Sequence, residues 1–561
     1  MNGFAAPIGG LAGGLLHGAL FLAALTACSG ESSPADVYPN SILAEVSAEN
    51  FRTHMAVLAD DAMWGRETGT EGYDMAAAYV AEQFARFGLT PAGDTQGYFQ
   101  HVPFMTTRLE PDSSRLEIRR GDEVRHLVFG DEFVSSGGFG AIEDSVTAPL
   151  VFAGYGIRAP QHGHDDFAGI DCENRILVRL TGAPPGFPND ERAYYSSGRV
   201  KDGFAVEQGA VGVITVRAPV DLPRLTWDRY TAAIGSAGMR WVGTEGSPFE
   251  ANAQLRGEAV LGETAAVELF ALAGHDLQTL FASLDSTGAE SFELDLEATM
   301  VRRSVQGRLS APNVIGMIPG SDPQLQGEYL LYTAHLDHLG VRSGESGNEI
   351  YSGAYDNAAG VAALLEVARI IANNPQRIGR SVVFAALTGE EKGLQGSSYL
   401  AHHPPFPIAD LVSVINIDMP YLGFPIAEIM GLGAEHSSLH AALERAAQLA
   451  GLEYVADPRP ELVRFIRSDQ FSFVQEGVPG LNLKPGTRSA DLAWDGPAMH
   501  EAFLREHYHQ PSDSLDLPFS AEGSRRFTAA ALMLGLEVAG AKYRPSWNPG
   551  DFFGERFAGD P

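Results

Sequence analysis

Residues 329–337 read Tyr329-Leu330-Leu331-Tyr332-Thr333-Ala334-His335-Leu336-Asp337, an apolar run that ends in a histidine and a carboxylate. A short run of this kind, rich in aromatic and branched residues, predicts a buried strand. Residues 381–391 repeat the arrangement, from Ser381-Val382-Val383-Phe384 into Thr388-Gly389-Glu390-Glu391, and Val412 to Ile417 runs into Asp418. Further strands are predicted at 426–430 and 480–483, with helices at 358–373 and 436–450. Strands alternating with helices give an α/β fold, a doubly wound, mostly parallel sheet with helices on both faces. Ligands of such a sheet gather beyond the carboxyl ends of its strands, where these ionisable residues fall.

Upstream, Ala76, Ala77, Tyr79, Val80, Phe84 and Phe87 recur at helical spacing and predict a helix that Gly88 stops. The Gly-rich stretch Gly65-Arg66-Glu67-Thr68-Gly69-Thr70-Glu71-Gly72 leads into it. From 145 to 301 the apolar runs are shorter and turns more frequent, as expected of a separate, β-rich insert. It divides the main domain into segments 45–144 and 302–542, and an aromatic, Pro/Gly-rich tail at 543–561 is expected to wrap the surface.

The residues at the strand ends are two histidines, His335 and His509, with the carboxylates Asp337, Asp356, Glu390, Glu391 and Asp418, and no cysteine. That donor set suits a hard-to-borderline divalent ion such as zinc. It exceeds what one zinc needs, and two metals sharing a carboxylate would use it all. A metal pair polarises a carbonyl and acidifies a water, and one carboxylate of Glu390-Glu391 is free to move the proton while its neighbour ligates. The chemistry implied is hydrolysis of an amide.

These motifs resemble the M28 metallopeptidase family, the di-zinc aminopeptidases and their relatives, in the subgroup with a protease-associated (PA) domain insert. The likeness runs through Gly65–Gly72, His335-Leu336-Asp337, Gly353-Ala354-Tyr355-Asp356-Asn357-Ala358-Ala359-Gly360, Glu390-Glu391, Asp418, Ser468-Asp469 and Tyr508-His509-Gln510-Pro511-Ser512-Asp513. It implies two Zn2+ per chain. Asp356 would bridge them, His335 and Asp418 would hold the first, and Glu391 and His509 the second. Glu390 would be the general base, and Asp337 would orient the His335 imidazole. Gln470 stands where many members have His and is expected in the pocket wall.

The resemblance implies a peptide substrate and release of amino-terminal residues. Carboxypeptidase or dipeptidase action stays open, because Arg464, Arg467, Lys484 and Arg488 offer cations to a substrate carboxylate. A glutaminyl-cyclase-like transferase and a PA-domain receptor are disfavoured by the complete ligand set. Lys and Arg number 39 against 71 Asp and Glu, a net charge of −32 in 561 residues, which excludes nucleic acid as the main partner. Residues 1–28 carry no Lys, Arg, Asp or Glu and end in Leu25-Thr26-Ala27-Cys28, which resembles a bacterial lipoprotein signal. Residues 29–44 then read as a tether. The expectation is an exported, envelope-localised protein that meets the membrane only through a lipid on Cys28.

Overall fold

The computed structural model describes residues 40–559 except 223–225, 285–289, 345–346 and 463, and helices open it. The expected signal, Cys28 and most of the tether lie outside the described residues. Helix α1 (Ala48–Leu58) is capped by Ser47, and α2 (Glu71–Phe87) by Thr70, with Gly88 closing it in the left-handed region at φ 78°. Strand β1 (Phe99–Leu109) follows, and the chain then builds a second sheet from β2 (Glu143–Phe152), β3 (Ile176–Leu180), β4 (Gly212–Val216) and β5 (Glu258–Leu261). Strands β2 to β5 lie parallel in that order, and residues 115–127 add a hairpin to the same sheet.

Strand β6 (Phe292–Ile318) belongs to both sheets. Residues 292–303 pair antiparallel with β2, whereas Ser304 to Val314 pair antiparallel with β1. Downstream lie β7 (Tyr329–His335), α3 (Ala359–Asn373), β8 (Ser381–Leu387), β9 (Leu411–Asn416), β10 (Glu428–Leu432), α4 (Leu439–Leu449), β11 (Gly480–Pro485), α5 (Gly496–Glu506) and α6 (Ala521–Gly540). The main sheet runs β1-β6-β8-β7-β9-β11-β10. Its four central strands, β8, β7, β9 and β11, are parallel, and the flanking strands are antiparallel. Central strands covered on both faces need unbroken apolar sequence, and every residue of β8 and β9 is buried.

Helix α3 is buried along nearly its whole length, so its one buried carboxylate needs partners. Glu366 pairs with Arg369 at 2.7 Å and accepts the Ser47 N–H at 2.8 Å, which ties α1 to α3. Residues Gly238–Trp241 add an edge strand to the main sheet, antiparallel to β1, and Trp241 donates to Gln395 Oε1 at 2.9 Å and Ser398 Oγ at 3.0 Å. The tail does more than wrap the surface. Helix Phe552–Phe557 buries Phe553 completely against Phe465 and Phe471, and Phe552 meets Tyr194 of the insert. Aromatic area of that size is worth more in a three-way joint than on an exposed edge. Among the described residues no helix is long and apolar enough to cross a membrane.

Candidate metal centre

His335 is the last residue of β7, and its Nε2 lies 3.2 Å from Asp356 Oδ1 and 3.1 Å from Asp418 Oδ1. Asp418 follows β9, the strand beside β7, so parallel pairing brings the two side chains to one edge. The other oxygen of Asp356 faces a second group. Oδ2 lies 3.2 Å from His509 Nε2 and 3.9 Å from His338 Nδ1. Glu391 closes that group, with Oε1 2.9 Å from His338 and Oε2 3.2 Å from His509. Asp356 thus presents one oxygen to each side of a buried double cluster.

The donors fit a pair of metal ions. Ligands ~2.0–2.1 Å from a tetrahedral zinc stand roughly 3.3 Å apart, close to the separations around His335. Asp356 Oδ2 is buried and receives no hydrogen bond, as is His338 Nε2. A buried carboxylate oxygen without a donor is costly unless a cation stands near it.

The surroundings fix these side chains. Asp513 accepts the backbone N–H groups of Tyr355 and Asp356, both at 3.0 Å, and so holds the turn that carries Asp356. Asn357 accepts from Gly360 and Met419, each at 3.0 Å, capping α3 and binding it to the end of β9. Beneath the centre, the Arg66 guanidinium donates to the carbonyls of Leu58, Leu336, Ser352 and Gly353 at 2.6–3.0 Å. Thr68 Oγ1 accepts from Gly389 N–H at 3.0 Å. The Gly65–Gly72 stretch is therefore the floor of the site as well as the approach to α2.

Asp337 acts differently from the expectation. Its carboxylate accepts the N–H groups of Glu390 at 3.1 Å and Glu391 at 3.3 Å, whereas the His335 ring meets its backbone carbonyl at 3.0 Å. The turn after β7 carries the carboxylate across to the β8 loop, so the imidazole is oriented by main chain. Gln470 also departs from its expected place. It is wholly buried, donating to the Phe465 carbonyl and accepting from Asn416 at 3.0 Å, and it braces the wall from behind. Arg488 lies on the surface, paired with Glu428 and Glu453. His507 bonds Ser512 at 2.9 Å and takes no part in the centre.

His338 was not among the candidates read from the sequence. It follows His335 at a spacing of three; its backbone N–H donates to the Arg66 carbonyl at 3.2 Å, and its ring Nδ1 meets Glu391 Oε1 at 2.9 Å. Its signal was that spacing beside a strand end.

Burial and neighbouring charge set the titration. Burial pushes the Glu390 carboxyl well above its ordinary range, and the charges of Glu391, Asp418 and Asp469 add to this against the pull of His335. Burial also acts on Glu391, but His338 and His509 outweigh it and hold that carboxyl at about 2. Adjacent residues thus differ in character, one a strong carboxylate and the other a ready proton acceptor. His509 rises to about 10, burial opposing and Asp356 and Glu391 prevailing.

Residues 313–534 match the model of peptidase family M28. A probable lipoprotein aminopeptidase, LpqL of Mycobacterium tuberculosis (strain ATCC 25618 / H37Rv), is 23% identical over 452 residues, covering 73% of this chain and 82% of that protein. A probable zinc metalloprotease of Pyrenophora tritici-repentis (strain Pt-1C-BFP) is 43% identical over 67 residues, 12% of this chain, so the match spans only 15% of that relative's length. Among solved structures, an aminopeptidase from Aneurinibacillus sp. strain AM-1 superposes with a TM-score of 0.50 at 21% identity, over 89% of this chain and 95% of that one. At that identity the likeness is one of fold. His335, Asp356, Glu391, Asp418 and His509 all fall within the segment that matches the model of peptidase family M28.

Proposed function

We propose that this protein is an exported zinc aminopeptidase that removes amino-terminal residues from peptides, using two zinc ions per chain. The observation that carries the reading is the division of Asp356 between two buried donor groups, one with His335 and Asp418, the other with Glu391 and His509. The names of the relatives, an aminopeptidase and a zinc metalloprotease, agree with it. The second sheet is read as the PA-type insert, and Cys28 as the lipid attachment that keeps the protein at the cell envelope.

The chemistry that bound zinc supplies at such a centre is Lewis acidity at a carbonyl and an acidified water. The chain's own residues do the rest. Glu390 takes the proton of the attacking water and delivers it to the leaving amine, a role that suits a carboxyl whose pKa is raised by burial. Asp337, through the N–H groups of Glu390 and Glu391, fixes both carboxylates relative to the His335 turn. Asp513 does the same for Asp356.

Elemental analysis of purified protein beside turnover of aminoacyl p-nitroanilides tests the reading. Two zinc per chain and cleavage confined to free amino termini are expected. Glu390→Gln should keep both metals and lower kcat by about 10²–10⁴-fold. Asp356→Ala should lose both metals and all turnover, and two tightly bound ions in that variant would refute the bridge.

A further inference from the structure

A pocket of about 220 Å³ adjoins the centre, opening beside Asp418. Met419, Met430, Leu432 and Phe503 give it apolar depth, while Arg464, Arg467 and Lys484 place three cations on its wall. Among the described residues Asp418 is the lone carboxylate there, and it is committed to His335 at 3.1 Å and the Ser468 hydroxyl at 2.9 Å. Arg464 leans back on Asp457, yet its Nε is buried without a partner. Lys484 donates to the Asp418 carbonyl and stands 3.8 Å from its carboxylate Oδ2. Arg467 is exposed, and among the described residues its guanidinium has no ion pair or hydrogen bond. His500, on the same wall, has its pKa lowered to about 4 by burial and by the charges of Arg464 and Lys484, so it is neutral at pH 7.

This concentration runs against the chain as a whole, whose net charge is −32. A cleft with an excess of one sign inside a molecule of the other focuses field on whatever enters it. Apolar walls ending in guanidinium groups fit an aliphatic stem that carries a carboxylate, and Arg is the side chain best shaped to grip one. We propose that the pocket selects peptides whose residue before the scissile bond bears an acidic side chain, so that aspartyl and glutamyl amino termini are the preferred substrates. The assignment rests on the aminopeptidase reading above. The shared chemistry is a carboxylate near the scissile carbonyl, which a peptide's own carboxyl terminus also offers.

The test compares isosteres. The zinc-loaded enzyme is assayed for kcat/KM on Glu- and Gln-p-nitroanilide and on N-acetyl-Ala-Glu. In parallel, calorimetry measures binding of Glu-Ala-Ala and Gln-Ala-Ala to the zinc-loaded Glu390→Gln variant. Glu is expected to exceed Gln at least about tenfold in both assays, as for a charged hydrogen bond. Arg467→Gln should shrink that ratio at least fivefold, and Arg467→Lys should restore part of it. A ratio near or below one in both assays overturns the pocket assignment even where peptides are cleaved. Cleavage of N-acetyl-Ala-Glu with no free-amine substrate turned over overturns the aminopeptidase reading and the acidic amino terminus together, moving the carboxylate to the substrate's other end. If neither substrate class is cleaved while calorimetry still separates Glu from Gln, the aminopeptidase reading falls and the pocket's preference stands.

Discussion

At the scale of single residues, Arg66 shows how much of the site is held from below. Its guanidinium sits among four main-chain carbonyls from three separate segments and, among the described residues, touches no carboxylate directly. Burial lowers its pKa to about 10, so it stays charged at neutral pH. Lysine cannot reproduce a fork of five donors, and the carbonyls left without a partner would be buried. Arg66→Lys should therefore cost about 3 kcal/mol of stability, read from the urea midpoint, and weaken metal retention through the Leu336 and Gly353 turns. A midpoint within error of the wild type would show that water replaces the lost donors. None of this was legible in the sequence, where Arg66 is one residue in a Gly-rich turn. His335, Asp356, Glu390, Glu391 and Asp418 were legible because each ionisable residue follows or opens a regular element. Asp513 and Thr68 fall within the quoted motifs, but their roles were not legible, since they act on backbone N–H groups, which leave no pattern. His338 lay between, at a readable spacing that only the fold of the turn makes meaningful.

At the scale of elements, α6 packs on β7 through one close approach. Tyr332, wholly buried in β7, donates its hydroxyl to the Ala531 carbonyl at 2.7 Å, and a Cβ on Gly535 would lie 1.8 Å from that hydroxyl. A methyl group there must displace either the helix or the ring. Gly535→Ala should lose about 2–3 kcal/mol, as overpacked cores do. Tyr332→Phe should lose about 1 kcal/mol, the worth of a typical hydrogen bond. The double variant is expected to fall short of the sum, because removing the hydroxyl makes room. Strict additivity in a double-mutant cycle would sink this account. The parallel centre of the main sheet was readable from its apolar runs, and α2 and α3 from spacing and stop signals. Helix α6 was not, because a helix buried nearly all round loses the one-sided stripe that marks an amphipathic one.

Across the whole molecule, His436 joins three distant parts. It stands 3.3 Å from Asp190 of the insert and 2.7 Å from Asp551 of the tail. Burial works against its charge, but the two carboxylates lift its pKa from 6.5 to about 10. A folded-state pKa above the unfolded value gives stability that is full below pH 6.5 and is lost as pH climbs towards 10. Lys201 has the opposite sign. Burial and Arg179 depress it from 10.5 to about 7, so its contribution grows across that range. The two oppose each other in the wild-type profile, and a difference measurement separates them. The gap in thermal midpoint between wild type and His436→Gln should be widest near pH 6 and close towards pH 10. A gap independent of pH would mean that the imidazole is not charged in the folded state.

Strand β6 has a consequence for how such proteins diversify. Its rungs pass from the second sheet to the main sheet between Arg303 and Ser304 without a loop between them. A second sheet attached in this way is no exchangeable cassette. Excising it removes half of a continuous β-ladder and leaves raw edges on both sides of the cut. A foreign module would take its place only by continuing the same register, residue for residue, into the strand that borders β8. Recombination at this junction is therefore confined to partners already built on the same spine.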